Sequence, residues 1–345
     1  MEPIKHSEAE AHGFTPYLLR SSRHFVHPVD GVAQLASSSD DLAATCRAVA
    51  KVLPSDAVFT HLTSARLRGW WLPLLDDLPL IACTDGESPH HDRRGVYVRR
   101  CSIPPGHRDE VDGVAVASPE WTIVELAEHL ALLDLVAAID SALYLGHTTV
   151  DRIRATMRPG RRGVRVLRRA LDLADGRSES WWESMLRLLH VLSGVDVEPQ
   201  RIVHNAAGVE VARVDLWIRG THRIPEYDGS EHRGRTRHEK DLRRDKTLAR
   251  QGLERYGYIA TEIIHAPEGI ISDAEDALGW PHLAGRVETW RSEARRASIS
   301  PAGKFALRRR LERFVRTTSP RSKRASGANQ SPTGAHPDDS PSQNL

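Results

Sequence analysis

Residues 211–228, which read VARVDLWIRGTHRIPEYD, decide the fold that we expect for the second half of the chain. Apolar side chains take every second position in the first part of this segment. That alternation is typical of a strand with one apolar face, and it places Asp215 on the other face. A tight turn leads into a second strand, in which Glu226 and Asp228 share a face. Because the connection is short, the two strands should lie side by side and the three carboxylates should converge.

The neighbouring sequence extends these two strands to a unit with the order α-β-β-β-α-β. A capped amphipathic helix is predicted at 178–192 and a strand at 198–204, both ahead of the quoted segment. A long basic helix at 237–251 and a strand at 256–264 follow it, and a helix at 272–277 closes the unit. This order predicts an α/β (α+β) fold class.

Residues 1–175 predict a separate mixed α/β region that ends in a helical segment. Strands are expected at 80–84, 95–102 and 113–117. The tripeptide Ser118-Pro119-Glu120 then gives a strong helix start, and the chain reads as nearly all helical up to the end of this region. The order of strands followed by helices favours a region distinct from the α-β-β-β-α-β unit.

Four segments are therefore predicted along the chain. The mixed region at 1–175 precedes a second domain at 176–300. A basic amphipathic helix follows at 301–316. The last segment, 317–345, is rich in Ser and Pro and lacks apolar periodicity, so we expect a disordered tail.

The net charge of the chain hides an uneven distribution. Its 345 residues include 48 Lys and Arg against 46 Asp and Glu, a formal net charge of +2. Even so, segments 151–170, 232–250 and 301–324 carry net charges of +7, +5 and +8. Three such blocks are typical of a protein that binds a phosphate backbone, although any one of them equally fits a solvated helix face. The expected partner is nucleic acid, with DNA favoured.

Composition and cysteine usage exclude several classes of protein. With 40% hydrophobic and 27% charged residues, the chain is not a collagen, a coiled coil or wholly disordered. Three cysteines without a CxxC pair argue against a disulfide scaffold or a zinc ribbon and fit a reducing cytoplasm. The N-terminus has no apolar signal segment, and no apolar run is long enough to span a membrane. We therefore expect a cytoplasmic protein without a membrane partner.

The carboxylates of the two quoted strands predict a metal site. Converging carboxylates repel one another unless a cation neutralises them, and Mg²⁺, or Mn²⁺ in its place, suits such oxygen ligands. Asp215 and Glu226 are the candidate ligands, assisted by Asp228. Glu183 is either a further ligand that orients water or a solvent-facing residue at the end of its helix. His232 is either a proton donor or phosphate contact beside this site, or a surface histidine.

Four motifs in the second half of the chain resemble a nuclease family. They are Glu183-Ser184 with Leu186-Arg187, Arg213-Val214-Asp215, Glu226-Tyr227-Asp228-Gly229 with His232, and Asp241-Leu242-Arg243-Arg244-Asp245. In this order they resemble the very-short-patch-repair-like branch of the PD-(D/E)XK nucleases, found in actinobacterial proteins. The resemblance implies a restriction-endonuclease-like αβββαβ core in which Glu183, Asp215 and Glu226 hold the metal. Asp228 stands where a lysine is usual in that superfamily.

The basic helix after the acidic segment is the candidate contact with nucleic acid. By the same resemblance, Arg243 and Arg244 face the phosphates, and Arg237 and Lys246 belong to the same basic block. Pro225, inside the second quoted strand, departs from a regular strand. Because proline has no amide to donate, this strand should be bulged or unpaired on one side.

Three segments of the first half resemble a second family. They are Phe59-Thr60-His61-Leu62-Thr63-Ser64-Ala65-Arg66-Leu67-Arg68-Gly69, Ser118-Pro119-Glu120-Trp121-Thr122 and Ala138-Ile139-Asp140-Ser141-Ala142-Leu143. They are similar to the middle and C-terminal parts of AbiEi-like type IV antitoxins, which usually open with a DNA-binding winged helix. Only about residues 12–32 precede the matching region here, which is too short for a complete winged helix.

Two functions of different class follow from these features. The leading hypothesis is a Mg²⁺-dependent endonuclease that hydrolyses DNA phosphodiester bonds. The alternative is a catalytically inactive, nucleic-acid-binding, antitoxin-like transcriptional regulator, with operator DNA or a cognate toxin as its partner. Carboxyl groups of Glu183, Asp215 and Glu226 within a few ångströms of one another favour the enzyme, whereas separated side chains favour the regulator.

Overall fold

The protein has a mixed α and β fold, which confirms the predicted fold class. A computed structural model describes residues 2–73, 75, 80–85, 95–229 and 244–316, with side chains described up to residue 312. The predicted tail lies outside these residues. Within them, no helix combines the length and the apolar character needed to cross a lipid bilayer.

The first part of the chain forms two sheets within the described residues. Its elements are β1 (Ile4–Lys5), α1 (Pro16–Ser21), β2 (Phe25–Val26), β3 (Val32–Leu35), α2 (Leu42–Ala50), β4 (Val58–Phe59), α3 (His61–Leu67), β5 (Leu80–Thr84), β6 (Val96–Arg100), β7 (Arg108–Val111) and β8 (Val114–Ala117). A small sheet has the strand order β1-β3-β2, and a five-stranded sheet has the order β6-β5-β4-β8-β7. The strands predicted at 80–84, 95–102 and 113–117 are confirmed as β5, β6 and β8.

A helical layer follows the five-stranded sheet. It consists of α4 (Pro119–Leu126), α5 (Leu132–Tyr144), α6 (Val150–Thr156) and α7 (Val164–Leu173). The Ser118 hydroxyl accepts a hydrogen bond from the Trp121 amide, and Pro119 occupies the first turn of α4. The helix start predicted here is therefore confirmed. Gly146 and Gly160 adopt left-handed backbone conformations between helices, where glycine is favoured.

The second part of the chain contains the predicted α-β-β-β-α-β order. Its elements are α8 (Trp181–Leu192), β9 (Val197–His204), β10 (Glu210–Ile218), β11 (Arg223–Tyr227), α9 (described over 244–250), β12 (Glu254–Tyr258), α10 (Ala260–His265), α11 (Pro267–Leu278), α12 (Glu288–Arg296) and α13 (Pro301–Arg316). The six elements from α8 to β12 confirm that order. The basic helix expected at 301–316 is confirmed as α13.

The strand that contains Pro225 is paired on one side. β9 and β10 form an antiparallel hairpin, and β11 pairs in parallel with β12. β11 packs beside β10, but no ladder joins the two strands in the described structure. The Tyr227 amide donates instead to Oδ2 of Asp215 at 3.2 Å. The unpaired side expected from Pro225 is therefore confirmed: β11 lies beside β10 but does not extend the β9–β10 hairpin by a hydrogen-bonded ladder.

The strand predicted at 256–264 is shorter than expected and begins earlier. It ends at Tyr258, because the following residues turn into α10. Glu262 closes the first turn of that helix by accepting a hydrogen bond from the Ile259 amide at 2.9 Å. The local cap therefore outweighs the apolar residues that favour a longer strand. The closing helix is also longer than the predicted 272–277, because it starts at Pro267.

One apolar core connects the two parts of the chain. It includes side chains of α5, α7, α8, α12 and α13, and Trp290 is fully buried in it. At a polar point in this core, Asp140 of α5 accepts hydrogen bonds from Ser184 Oγ at 2.8 Å and from Arg187 Nη2 at 2.7 Å. The domain boundary predicted at 175–176 separates elements that share this core, and it stays a prediction.

Candidate functional site

Asp215 lies at the centre of an acidic cluster. It sits in the middle of β10, and its bond to the Tyr227 amide connects it to β11. Burial is the main reason why the pKa of Asp215 is raised to about 7, and the negative charges of Glu226 and Glu183 contribute to the rise. Glu226 and Glu183, which the nuclease resemblance assigns to the metal together with Asp215, therefore lie close enough for their charges to affect Asp215.

Glu226 is buried and is neutralised by two arginines. Only 2% of its surface is exposed. Arg244 of α9 donates to its Oε1 at 2.6 Å, and Arg255 of β12 donates to its Oε2 at 2.5 Å. Arg244 also donates to the carbonyl of Arg213 at 2.7 Å, which fastens α9 to β10. A buried carboxylate needs a compensating charge, and here the chain supplies one to each oxygen.

Arg255 extends this neutralisation to Asp228. Its Nη2 donates to Oδ1 of Asp228 at 2.5 Å, and its Nη1 lies 3.5 Å from Oδ1 of Asp245. Burial alone would lower the pKa of Arg255, but the bond to Glu226 and the charges of the three acids raise it above its ordinary value. Gly257 leaves the space that the Asp228 carboxylate occupies, since a Cβ at this position would collide with it.

Glu183 is held by protein groups at the start of α8. Its Oε2 accepts hydrogen bonds from the Glu179 amide at 2.8 Å and from Gln200 Nε2 at 3.0 Å. The Ser180 hydroxyl accepts a hydrogen bond from the Glu183 amide at 3.2 Å, and the two interactions together are similar to a capping box. Glu183 therefore stabilises the helix start. It is half-buried there instead of facing solvent.

The acidic cluster, as it is arranged here, does not fit a metal ion. Guanidinium groups donate hydrogen bonds to both carboxylate oxygens of Glu226. A backbone amide and the side chain of Gln200 donate hydrogen bonds to Oε2 of Glu183. In the part of the chain that the structure describes, no group of three His, Cys, Asp or Glu side chains is arranged to hold a metal. Binding of Mg²⁺ or Mn²⁺ by Asp215, Glu226 and Glu183 stays a prediction.

The other predicted site residues differ in where they lie. His232, Arg237 and Arg243 lie outside the described residues. Lys246 is exposed on α9, as a phosphate contact requires. Arg244 bonds to Glu226 within the chain, and the phosphate contact that the family resemblance assigns to it stays a prediction.

Sequence reasoning missed two residues that organise this region, Arg255 and Asp140. Asp140 had a detectable signal, because it is an acid in the almost entirely apolar helix α5. Its partners Ser184 and Arg187 belong to the motifs quoted for the nuclease family, yet they anchor α8 to α5. Arg255 had no local signal, because its role arises only when β12 pairs with β11.

A second candidate site is a basic surface around α7. Some exposed arginines of segment 151–170 form ion pairs within the chain, namely Arg152 with Glu120, Arg154 with Asp172 and Arg169 with Glu293. Four others are exposed and form no ion pair with any acid among the described residues. We call these four the basic surface: Arg158, Arg162, Arg165 and Arg168. Two depressions of about 410 and 510 Å³ adjoin there and share Pro159 and Arg168 in their walls.

Helix α13 brings another basic block to the edge of this surface. Burial lowers the pKa of Arg310 on α13, Asp134 opposes that effect, and the positive charge of Arg162 lowers it further. Arg310 and Arg162 therefore lie near each other, although 148 positions separate them in the sequence. The block at 151–170 and the described part of the block at 301–324, which are far apart in the sequence, are therefore neighbours at this point.

Comparisons with known proteins support the second of the two family resemblances. Residues 79–176 match the AbiEi antitoxin C-terminal domain, and this match contains the whole basic segment 151–170. The uncharacterized proteins Rv2248 and MT2308 of Mycobacterium tuberculosis, from strains H37Rv and CDC 1551, are each 31% identical over 212 residues. That alignment covers 60% of this chain and 69% of each relative. No solved structure matches the chain, and none of these comparisons supports the nuclease resemblance.

Proposed function

The chain belongs to the same family as the uncharacterized Mycobacterium tuberculosis proteins Rv2248 and MT2308, and we propose that it is a non-catalytic, DNA-binding regulator of the antitoxin type. The observation that carries this proposal is the basic surface, four exposed arginines within the antitoxin-like region that pair with no acid among the described residues. Its partner is double-stranded operator DNA, which it contacts mainly through the phosphate backbone.

The charge pairing of the arginines supports a polyanionic partner. An arginine that is already ion-paired gains little from a phosphate, whereas an unpaired exposed one keeps its full charge available for a phosphate oxygen. Arg158, Arg162, Arg165 and Arg168 meet this condition within 11 positions of the chain. Their planar guanidinium groups suit the oxygens of successive phosphates, and released counterions add a sequence-independent driving force.

The state of the acidic cluster supports a binding function over a catalytic one. A hydrolytic centre needs a carboxylate that is free to hold an ion or to activate water. Glu226 instead bridges Arg244 and Arg255, and Asp228 bonds to Arg255. These ion pairs connect β11 with α9 and β12, so the acids stabilise the sheet from which α9 projects.

The proposal is tested by DNA binding of a charge-changed variant against a matched control. Fluorescence anisotropy measures, at a fixed salt concentration, the affinity of the protein for a labelled DNA duplex from the region upstream of its own gene. Replacing the four arginines of the basic surface with glutamine should weaken binding by at least tenfold. The control variant removes the same charge by replacing exposed arginines elsewhere, namely Arg20, Arg23, Arg100 and Arg219 with glutamine. Equal losses in both variants would show that only the net charge matters and would overturn the proposed site.

A second candidate function, a Mg²⁺-dependent DNA endonuclease, retains one supporting observation. The charges of Glu226 and Glu183 contribute to the raised pKa of Asp215, and these three are the acids that the nuclease resemblance assigns to the metal. Incubation of the protein with plasmid and with linear DNA, with Mg²⁺ or with Mn²⁺, tests this function. Cleavage that is lost in Asp215→Ala and kept in the exposed-residue variant Asp196→Ala would favour the enzyme over the regulator.

A further inference from the structure

Cys83 and Cys101 lie together at the end of two neighbouring strands. Cys83 is in β5, and Cys101 directly follows β6, which pairs with β5 in parallel. The Cys101 amide donates to the carbonyl of Thr84 at 3.1 Å, which extends the pairing by one residue. Because Cys83 is paired with Arg99, two positions before Cys101, both thiols point to the same face of the sheet.

The two thiols share one apolar cluster and lie close to each other. Both pack with Val58, Ile103, Ala117 and Trp121, as members of a single cluster. The thiols of Cys83 and Cys101 are close enough for the ionisation of each to depend on the other. Cys83 is buried, whereas Cys101 is partly exposed and open to a small reagent.

The charges around the pair differentiate its two members. Arg99 and Arg161 face Cys101, with the carboxylates of Glu125 and Glu128 behind them. Interaction with the Cys83 thiol is the main reason why the pKa of Cys101 falls to about 7, and the two arginines contribute. The same interaction, together with burial, raises the pKa of the Cys83 thiol. Cys101, which is also the more exposed of the two, is therefore the member of the pair that ionises first.

We propose that Cys83 and Cys101 form a peroxide-reactive dithiol that closes to a reversible disulfide. The thiolate of Cys101 attacks one oxygen of hydrogen peroxide, the O–O bond breaks, and hydroxide leaves, which gives a sulfenic acid on Cys101. The sulfur of Cys83 then attacks the sulfur of Cys101. The S–S bond forms as the S–O bond breaks, water leaves, and the Cys83 proton passes to the departing hydroxide. The hydroxide released in the first step takes up the proton that Cys101 lost on ionising, so the two cysteines together lose two electrons and peroxide is reduced to two waters.

The position of the two thiols on one face of neighbouring strands makes the second step local. Both sulfurs lie in the same apolar cluster near the end of the β5–β6 ladder, so forming the bond requires only a local movement of the chain. Oxidation also removes the negative charge that faces Arg161. That arginine packs over Trp121 at 4.7 Å from the ring centroid and bonds to Glu128 at 3.0 Å, so the disulfide forms beside the loop that carries Arg158 and Arg162 of the basic surface.

Thiol counting on the full-length protein tests the proposal. The reduced protein is treated with hydrogen peroxide, denatured, alkylated with N-ethylmaleimide and measured by intact mass. Before oxidation three cysteines should be alkylated; afterwards only Cys46 should be, and the protein mass without adducts should fall by about 2 Da. Dithiothreitol should restore all three. Three alkylated thiols after peroxide treatment would overturn the proposal.

Peptide mapping and variants assign the roles of the two cysteines. Digestion of the oxidised wild-type protein should give one disulfide-linked pair, containing Cys83 and Cys101, and this measurement needs no variant to fold. In Cys83→Ser, oxidation should stop at a sulfenic acid on Cys101 that dimedone traps. Cys101→Ser should lose the reaction, whereas Cys46→Ser should keep it. A disulfide that includes Cys46, or equal oxidation of Cys101→Ser, would contradict the assignment.

Discussion

Arg255 of β12 donates a hydrogen bond to Oε2 of Glu226 at 2.5 Å. In the parallel ladder of β11 and β12, Arg255 is paired with Ile224, which comes two positions before Glu226 on β11. The same guanidinium reaches Asp228, which shares a strand face with Glu226. Converging carboxylates need a positive charge, and the chain places one between them from the neighbouring strand. The requirement that predicts a metal ion is thereby met by an arginine.

Replacing Arg255 with methionine should destabilise the protein strongly. The change keeps much of the aliphatic part of the side chain but leaves Glu226, which is 2% exposed, with Arg244 as its one charged partner among the described residues. Breaking a buried ion pair by removing one partner costs about 3–5 kcal/mol, and partial exposure of Arg255 reduces this to roughly 2–3 kcal/mol. Urea denaturation at neutral pH measures the change in the free energy of unfolding. Adding Glu226→Gln to this variant should recover part of the loss.

The matched control for Arg255→Met is Arg219→Met. Arg219 also contacts two acids, Asp196 at 3.4 Å and Glu198 at 3.0 Å, but it is half-exposed. Its loss should change stability by less than about 1 kcal/mol, as is usual for surface ion pairs. Similar changes in the free energy of unfolding for Arg219→Met and Arg255→Met would mean that the pairing of Arg255 with Glu226 stabilises the protein no more than a surface ion pair does.

The part of the fold that sequence patterns predict correctly is the part that depends on short-range alternation and caps. The α-β-β-β-α-β order follows from such patterns, and so does the unpaired edge at Pro225, because the absence of an amide is a property of the residue itself. The strand expected at 256–264 fails for a local reason too: Glu262 caps a helix there, and the apolar alternation did not reveal it.

The rest of the candidate site depends on contacts between distant segments. The partnership of Arg255 with Glu226 requires the parallel pairing of β11 and β12, and the proximity of Arg162 and Arg310 requires α13 to pack on the same core as α7. Helix α12 was missed because its sequence ETWRSEARR is mostly charged, and it buries few residues besides Trp290 and Ala294. A segment that is mostly charged has no apolar pattern that would indicate which part of the protein it packs against.

Asp140→Asn should loosen the junction between α5 and α8. Asp140 is fully buried and accepts hydrogen bonds from Ser184, from Arg187 and from the amide of Asp175. An asparagine of the same shape removes the charge that neutralises Arg187 and turns donor hydrogens toward these donors. The expected loss of stability is about 3–5 kcal/mol, measured by chemical denaturation.

The control for this variant is Asp172→Asn, in which the acid is exposed and pairs with Arg154 at 3.6 Å. Its expected effect is below about 1 kcal/mol. If Asp140→Asn were as stable as Asp172→Asn, the buried ion pair would not hold the two helices together.

Asp215→Asn should change the pH dependence of stability in a defined direction. The pKa of Asp215 is about 7 in the folded protein, above the value of about 3.9 for an unfolded aspartate. Between these values the unfolded chain loses its proton first, so this group lowers stability as pH rises from about 4 to 7, after which its effect is constant. Asparagine removes the loss of stability that comes from ionising the buried Asp215, and its Oδ1 can still accept a hydrogen bond from the Tyr227 amide.

The two proteins should therefore be equally stable near pH 4, and the variant should be more stable by about 2–4 kcal/mol at pH 8. Denaturation midpoints measured across this range test the prediction. Glu125 and Asp134, whose pKa values are raised to about 7 and about 6 mainly by burial, titrate in both proteins and cancel in the difference. A difference that does not grow with pH would show that Asp215 ionises as freely as it does in the unfolded chain.

The salt dependence of DNA binding should report how many phosphates the basic surface contacts. Each contact that is lost makes the slope of log K against log salt shallower by roughly 0.9, so replacing Arg158, Arg162, Arg165 and Arg168 with glutamine should reduce the slope by about 3–4. Replacing the four control arginines, Arg20, Arg23, Arg100 and Arg219, lowers the net charge equally but removes no contact, and should leave the slope almost unchanged. Titrations of both variants at several salt concentrations separate contact from net charge. Unchanged slopes in both variants would show that the phosphate contacts lie elsewhere. A slope that changes when metal is added would indicate that the acidic cluster takes part in DNA binding.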